Sequence, residues 1–273
     1  MRIRVGADPE LFTRSRKTGQ FVSGHDMMSG TKENPTPVEF GALQVDGTAL
    51  EFNIDPADSC DEFVRNIAAV RRQMAERVEA FNVDIVAEPV ATFTREYFRQ
   101  IPESALELGC NPDFNAYTLD ENPAPDGRRE FRTGSGHVHI GWGEGFDVES
   151  PEHFMACAVL VRQMDYYLGL PSLIWDKDNR RRELYGKAGA FRPKSYGVEY
   201  RVLSNVWLQS EAMQRFVYNA SIMAVEDLMS GKDLGAMHGA AAQEIIDGNV
   251  VDWYERHDFN TGLDYQQFMR RAA

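Results

Sequence analysis

Four β-like segments of the sequence each carry two polar residues separated by a single residue. In chain order these pairs are Asp8 and Glu10, Glu51 and Asn53, His137 and His139, and Glu199 and Arg201. Residues two apart on a strand project from the same face of the sheet. Each of the four strands therefore presents charge or polarity where a buried face would present Val or Ile. If the four faces coincide, one side of the sheet carries carboxylates, imidazoles and an arginine.

A polar face of this kind predicts a bound cation. Carboxylates crowded together in a partly buried place are costly unless a counter-charge accompanies them, and a divalent ion supplies one. Oxygen ligands joined by one or two histidines suit Mg²⁺ or Mn²⁺ better than zinc. Taken singly, each pair also fits a simpler explanation: a solvated edge strand, satisfied histidines, or a cross-strand ion pair. Their combination favours a site.

The hydrophobic pattern predicts three long helices between these strands. The first spans residues 60–81, where Ser59 and Glu62 form a capping box and apolar residues recur at spacings of three and four. The second starts at Ser150 and runs to Leu168, where we expect Gly169 and Pro171 to stop it, and the third runs from Ser210 to about Met229.

Strands and helices do not alternate regularly, which favours an α+β fold with a largely antiparallel sheet backed by long helices. We interpret residues 1–273 as a single domain whose last part, from about 232 to 273, is a helical appendage.

A local reversal of charge marks the segment from Lys177 to Arg201. Eight basic and three acidic residues fall in this segment, within a protein whose 29 Lys and Arg face 42 Asp and Glu, for a net charge of −13. Interleaved glycines and aromatic residues predict a loop that closes over an anionic ligand. A solvated basic loop and an RNA-binding loop are the alternatives. The candidate phosphate ligands are Lys187, Arg192, Lys194 and Arg201.

Composition excludes several classes of protein. The strong negative charge argues against a nucleic-acid-binding protein. The longest apolar run, Phe154–Val161, is too short to span a membrane, and the first residues lack the apolar core of a signal peptide, so we expect a cytoplasmic protein without membrane partners. Its three cysteines lack CxxC spacing, and phosphate-loop, GxGxxG, GxSxG and HExxH motifs are absent.

Five segments together resemble the amidoligases, and more closely the type 2 carboxylate–amine ligases of phages and some bacteria. These enzymes are related at fold level to glutamine synthetase and glutamate–cysteine ligase. The resemblance covers about residues 4–207 and rests on the order and spacing of the motifs 6–10 (GADPE), 44–53 (QVDGTALEFN), 109–113 (GCNPD), 134–139 (GSGHVH) and 185–201 (YGK through VEYR).

The resemblance implies a curved antiparallel sheet of the glutamine synthetase catalytic-domain type, whose inner face holds metals, ATP and an activated carboxylate. It implies metal ligation by Asp8, Glu10, Glu51, His137 and Glu199, and contact of His139 and Arg201 with the transferred phosphate. One expected acidic ligand has no clear match, and Asp46 or Asp113 could supply it; Asn53 and Asp113 are candidate substrate contacts. The first dyad is Asp-x-Glu where glutamine synthetase has Glu-x-Glu. The separate N-terminal domain of that enzyme has no counterpart, so its ring assembly is not implied.

These observations predict an ATP-dependent ligase that uses Mg²⁺ or Mn²⁺ and joins a carboxylate to an amine or ammonia. A phosphoryl group from ATP would activate the carboxylate as an acyl phosphate, because oxide is a poor leaving group. The alternatives are a guanidino-type kinase, a metal-dependent amide hydrolase and a non-catalytic phage or structural protein. If a phage encodes the chain, the enzyme would act in the host cytoplasm. The sequence leaves both substrates, the number of metals and the oligomeric state open.

Overall fold

A computed structural model describes residues 2–106, 113–123 and 129–253. Twelve strands occur in these ranges: β1 Arg4–Ser15, β2 Phe21–Val22, β3 Thr36–Val38, β4 Gly41–Asp46, β5 Ala49–Ile54, β6 Val83–Val86, β7 Val90–Thr92, β8 Phe114–Asn115, β9 Phe131–Thr133, β10 Gly136–Gly141, β11 Ala190–Lys194 and β12 Gly197–Tyr200. The α-helices are α1 Cys60–Val78, α2 Arg95–Phe98, α3 Glu103–Leu106, α4 Pro151–Met164, α5 Leu170–Trp175, α6 Arg180–Leu184, α7 Glu211–Met229 and α8 Leu234–Asp247. Short 3₁₀ turns cover Glu79–Phe81 and Asn205–Gln209, and Asp165–Gly169 forms a π turn.

Ten of these strands form one sheet in which every ladder is antiparallel. Its order is β3-β4-β5-β1-β10-β12-β11-β8, and β2 and β6 pair with β1. β7 and β9 form a separate two-stranded sheet. The predicted α+β class with an antiparallel sheet is confirmed.

The two faces of the large sheet differ in polarity because alternate residues of each strand point to opposite sides. On β1, Val5, Ala7 and Leu11 are fully or almost fully buried in the core, whereas Asp8 and Glu10 lie on the other face. The long helices α1, α4 and α7 add buried residues to this core, as do the π turn, α5 and α8, and α1 also contacts β4 and β5. Each large apolar side chain removed from water stabilises the fold by about 1.5–3 kcal/mol.

Two predicted helices are confirmed, and one ends differently from the prediction. α1 and α7 begin after the predicted caps Ser59 and Ser210, whose hydroxyls accept from backbone amides. The helix that starts after Ser150 does not stop at Gly169. The π turn Asp165–Gly169 carries the helical path into α5, and Pro171 lies in the first turn of α5, where its missing N–H costs little.

The basic segment is not the single loop that its composition predicts. α6 and the strand β11 lie within it, and Arg181 and Arg182 are almost completely buried. β11 pairs with both β12 and β8, so Arg192 and Lys194 belong to the sheet itself. The residue pattern of this segment predicted a loop because Pro193 and scattered glycines interrupt the apolar alternation that is typical of a strand.

The end of the described chain packs against the long helices. α8 lies against α4 and the π turn, while residues 254–273 of the predicted appendage fall outside the described ranges. Residues 109–112 of the third motif, including Cys110, also fall outside them; Cys60 and Cys157 are free thiols. Among the described residues, no helix combines the length and apolarity needed to cross a membrane.

Candidate active site

The register of the sheet brings the four polar pairs together on one face. β5, β1, β10 and β12 are consecutive neighbours, and their ladders pair Glu51 with Glu10 and His139 with Glu199. Asp8 is paired with His137 across the β1–β10 ladder. Residues that are up to 129 positions apart in sequence thus become cross-strand neighbours, about 4.5–5.5 Å apart at their Cβ atoms.

A cavity of about 1060 Å³ lies over this polar face. This volume is at the upper end of the range for small-molecule sites, so the cavity has room for more than one small ligand. Its charged and imidazole lining comprises Arg2, Arg4, Asp8, Glu10, Lys32, Asp46, Glu51, His137, His139, Glu144, Arg192, Lys194, Glu199 and Arg201.

One cluster in this cavity consists of Asp8, His139 and Glu199, whose ligand atoms all lie within 4.8 Å of one another. His139 Nε2 and Asp8 Oδ1 are 2.9 Å apart, yet both atoms are buried and neither has a hydrogen bond of acceptable geometry among the described residues. Two such atoms aimed at one point are typical of ligands that share a cation.

Electrostatics within this first cluster keep its acid ionised. Burial opposes the charge on Asp8, but the positive charge of His139 and the close approach of both imidazole rings lower its pKa below the usual range. Burial likewise opposes protonation of His139, and the charges of Asp8 and Glu199 outweigh it and raise the pKa of His139. The imidazole and carboxylates thus stabilise one another's charged forms.

A second cluster, Glu10, Asp46 and Glu51, holds three carboxylates within the same 4.8 Å limit. Burial and then the charge of Asp46 raise the pKa of Glu10 to about 7. Burial followed by repulsion from Asp8, Asp46 and Glu10 raises the pKa of Glu51 well above its usual range. Of the two acids that the sequence offered for the unmatched ligand, the structure brings Asp46 into this cluster.

Both clusters fit a divalent cation. Three close carboxylates repel one another, as their raised pKa values show, and a cation between them would remove that repulsion. All-oxygen ligands in the second cluster, and two oxygens with one imidazole nitrogen in the first, suit Mg²⁺ or Mn²⁺.

Three cations surround Glu199, which is almost completely buried. Lys194 Nζ lies 2.7 Å from Glu199 Oε2, Arg192 Nη1 lies 3.4 Å from it, and Arg201 contacts Oε1. Burial opposes ionisation, yet Arg201 and the other cations lower the pKa of Glu199 well below its usual range. Three of the four basic side chains predicted to hold phosphate therefore converge on the first cluster, Arg192 and Lys194 from β11 and Arg201 from the residue after β12.

His137 lies between the first cluster and Arg201. Its Nδ1 is 3.4 Å from Asp8 Oδ1, 3.4 Å from Glu199 Oε1 and 3.4 Å from Arg201 Nη1. Burial and the neighbouring guanidinium lower the pKa of His137 to about 4, which keeps the ring neutral. The resemblance implied metal ligation by His137 and phosphate contact by His139, whereas the geometry groups His139 with the carboxylates.

The remaining sequence candidates are divided between the cavity and its surroundings. Asn53 lines the cavity. Asp113 is not part of the lining, but its Oδ2 accepts from Arg201 Nε at 3.0 Å and so orients that guanidinium. Lys187 is exposed and lies outside the lining, on the side of Asp247.

Several lining residues escaped the sequence analysis although their pattern was visible. Gln44 lies two residues before Asp46, which was already a candidate ligand, and Arg4 continues the alternation of Asp8 and Glu10 on β1. Lys32, which acts electrostatically on Asp46, comes from an irregular segment and had no such signal.

Comparison with known proteins supports the resemblance for part of the chain. Residues 126–244 match the family model described as Phage phiEco32-like COOH.NH2 ligase-type 2. This match confirms, for that part of the chain, the resemblance to the type 2 carboxylate–amine ligases, whose name describes the joining of a carboxylate to an amine. The matched range contains β10, β11 and β12 with both histidines, Glu199 and Arg201.

No curated protein matches the sequence. Among solved structures, one described as "GmaS/ADP complex-Conformation 1" is 11% identical, with 99% of this chain and 69% of that chain covered and a TM-score of 0.40. A second, described as "Crystal structure of novel glutamine synthase homolog", is 12% identical, with 98% and 70% covered and a TM-score of 0.38.

Proposed function

We propose that this protein is an ATP-dependent carboxylate–amine ligase that uses Mg²⁺ or Mn²⁺ and proceeds through an acyl phosphate. The observation that carries the proposal is the arrangement of two carboxylate clusters beside a group of cations on one face of the sheet. Carboxylates that hold metal next to cations that hold phosphate are what phosphoryl transfer from ATP requires. The family match of residues 126–244 supports the carboxylate and amine as substrates.

The charge of the cavity supports an anionic nucleotide as ligand. Six cationic and six acidic side chains line it, so their formal charges cancel. Two divalent cations in the clusters would make the lining strongly positive, which matches the roughly four negative charges of ATP. The metals and the nucleotide would therefore bind more tightly together than separately.

A strip without side chains gives the phosphates a place on the sheet. Gly141 on β10 lies between Arg4 of β1 and, across Gly197 of β12, Lys194 of β11, and Gly6 on β1 lies in the next row, opposite His139. A Cβ added to Gly6 would lie 3.5 Å from His139 Cβ, so the missing atom leaves room directly beside the first cluster. In the proposal the triphosphate lies along this strip.

The residues of the two clusters would act as metal ligands in the proposed reaction. Asp8, His139 and Glu199 would hold one divalent cation, and Glu10, Asp46 and Glu51 another. When bound, such cations supply positive charge that neutralises phosphate oxygens.

In the first step a carboxylate oxygen of the substrate bonds to the γ-phosphorus while the bond from that phosphorus to ADP breaks. Arg201, fixed by Asp113, stabilises the charge on the transferring phosphoryl group. In the second step the amine nitrogen bonds to the acyl carbon, inorganic phosphate leaves and takes the proton that nitrogen loses.

A screen for ATP-dependent ADP release in fractions of a metabolite extract tests the proposal, with mass spectrometry to identify an amide product. We expect Arg201→Ala to lower turnover by about 10²–10³-fold, because it removes a preorganised donor to the transferring group. Arg180→Ala is the matched control, since Arg180 is an exposed arginine of α6 paired with Asp178 outside the cavity.

Three outcomes would contradict the proposal: ADP release that leaves a phosphorylated product without an amide, product formation that ignores nucleotide, or full activity of a folded Arg201→Ala protein. The first result would indicate a kinase and the second a hydrolase. Because Arg201 contacts Glu199, the thermal unfolding of each variant is recorded first.

A further inference from the structure

Arg181 is a buried arginine of α6 that the proposed chemistry does not use. Its side chain is completely buried. Nη1 donates to Val202 O at 2.7 Å, and Nη2 donates to Leu203 O at 2.8 Å, with longer contacts of 3.3 Å to Arg201 O and 3.4 Å to Ser135 Oγ. One guanidinium thus binds three consecutive carbonyl groups and a hydroxyl.

These carbonyl groups need donors because of where β12 ends. β12 stops at Tyr200, and the chain beyond it leaves the regular ladder. Buried carbonyls without a donor cost free energy comparable to a lost hydrogen bond. Arg181 donates to the carbonyls of residues 201–203, and Leu203 O also accepts from Gly136 N at 2.9 Å. This stretch begins with Arg201.

The same guanidinium also reaches the segment that holds Glu10. The backbone N–H of Ser135 donates to Glu10 Oε2 at 2.9 Å, and Glu10 N donates to Ser135 O at 2.9 Å. Asn205 Nδ2 donates to Glu10 O at 2.8 Å. Arg181 therefore contacts both the chain that carries Arg201 and the chain that orients Glu10.

The sequence makes room for this contact at Gly186. Its φ is +72°, in the left-handed region that favours glycine, and an added Cβ would lie 1.8 Å from Arg181 Nη1. No other side chain could occupy position 186 without displacing the guanidinium.

Arg182, the next residue, is nearly as buried but serves another part of the molecule. It contacts Asn249 Oδ1 at 3.1 Å, Ser172 Oγ at 3.3 Å and Asp176 Oδ2 at 3.8 Å. None of these atoms belongs to the cavity lining. Two adjacent arginines of the same burial thus differ in whether they contact the site.

We propose that Arg181 is a positioning residue that fixes Arg201 and Glu10 relative to each other. The inference rests on the proposed function for the assignment of Glu10 to a metal cluster and of Arg201 to phosphate. Lysine cannot replace Arg181, because its compact ammonium group lacks the planar, forked N–H donors with which the guanidinium reaches three carbonyls and a hydroxyl.

The test compares Arg181→Lys with Arg182→Lys by Mn²⁺ titration calorimetry of the folded proteins, after thermal unfolding. Both variants should unfold at a lower temperature, since each loses buried hydrogen bonds. Only Arg181→Lys should also weaken Mn²⁺ binding, by about 10-fold or more, as loss of a residue that orients metal ligands typically does. Arg182→Lys should stay within about twofold of the parent protein.

Equal Mn²⁺ affinities in the parent and Arg181→Lys would overturn the inference, and so would an equal loss in both variants. If Arg181→Lys does not fold, Ser135→Ala removes only the hydroxyl contact and should still weaken Mn²⁺ binding. An Mn²⁺ affinity of Ser135→Ala equal to that of the parent would then contradict the positioning role of Arg181.

A parent protein that binds no Mn²⁺ would contradict the proposed function instead. The positioning role would then be judged by amide hydrogen exchange at Ser135, which donates to Glu10. Faster exchange in Arg181→Lys than in Arg182→Lys supports the role, and equal exchange rejects it.

Discussion

At the scale of single residues, the two histidines of β10 have different surroundings although they belong to one motif. His139 faces Asp8 at 2.9 Å without a proper hydrogen bond, whereas His137 is held neutral beside Arg201. We expect His139→Asn to weaken Mn²⁺ binding by about 10-fold or more, because a ligand is lost. His137→Asn should change the affinity less.

Electron paramagnetic resonance of free Mn²⁺ measures both affinities. If His137→Asn bound Mn²⁺ more weakly than His139→Asn, His137 would be the metal ligand, as the family resemblance implied.

Residue patterns predicted much of the site because alternation along a strand is a local property. The pairs on β1, β5, β10 and β12 project from one face, as the spacing of two requires. Gly169 shows the opposite case. An added Cβ there would meet Ile246 at 2.7 Å and the Tyr200 hydroxyl at 2.9 Å, so this glycine serves packing between distant elements and does not end the helix. Only the assembled structure shows such a contact.

At the scale of elements, the π turn Asp165–Gly169 supplies a buried carboxylate to the back of β12. Asp165 accepts from the hydroxyls of Tyr200 at 2.7 Å and Tyr117 at 2.9 Å, and from Gly189 N at 2.7 Å. Burial raises its pKa to about 7 even though these three donors oppose the shift. The π turn thereby ties together the residue before β11, the end of β12 and the segment that follows β8.

We expect Asp165→Asn to lower the free energy of unfolding at pH 5 by about 1–3 kcal/mol, because the amide accepts fewer hydrogen bonds and leaves a buried hydroxyl unpaired. A carboxyl whose folded pKa is raised binds more protons folded than unfolded. The parent therefore loses stability as the pH rises from about 4 to 7, and the variant lacks this loss. The deficit should shrink between pH 5 and pH 8, as measured by urea unfolding. A constant deficit would contradict the raised pKa.

The basic segment shows why sequence reasoning about elements failed where it did. Arg192 and Lys194 are two apart and on one face of β11, which is the same signal that identified the other strands. Pro193 between them argued against a strand interior, yet it occupies a β11–β12 pair opposite Val198. Charge density alone could not distinguish a strand that carries cations to the site from a loop that closes over it.

At the scale of the whole molecule, the crowded acids should make stability depend on bound cation. Adding Mn²⁺ with a non-hydrolysable ATP analogue should raise the unfolding temperature, since a ligand at 100 times its dissociation constant contributes about 2.7 kcal/mol. Glu51→Gln should change the stability of the protein both without and with the bound cation. Without metal it should be more stable than the parent at pH 8, because a neutral amide avoids both the burial of charge and the repulsion that raise the pKa of Glu51.

With Mn²⁺ and the nucleotide analogue, Glu51→Gln should gain less stability than the parent. Differential scanning calorimetry at pH 8 gives all four values. An equal gain in both proteins would exclude Glu51 from metal binding.

The antiparallel class could be predicted from the irregular order of helices and strands, but the strand order could not. Nothing local to β1 and β10 states that residues 4–9 pair with 136–141. That pairing depends on which faces can be buried together by α1, α4 and α7, which is a property of the whole chain. The coincidence of the polar faces was for this reason a hypothesis until the register was known.

The central position of β1 also bears on how the chain folds during synthesis. This strand pairs with β2, β5 and β6, which follow it closely in sequence, and with β10, which begins only at residue 136. Contacts of such large sequence separation form late and slowly, because a long loop must close before they are made. During synthesis on the ribosome, the edge of β1 that pairs with β10 stays unpaired until more than a hundred further residues have been added. The chain therefore spends that interval with an open strand edge, which is the state most exposed to chaperones and to aggregation.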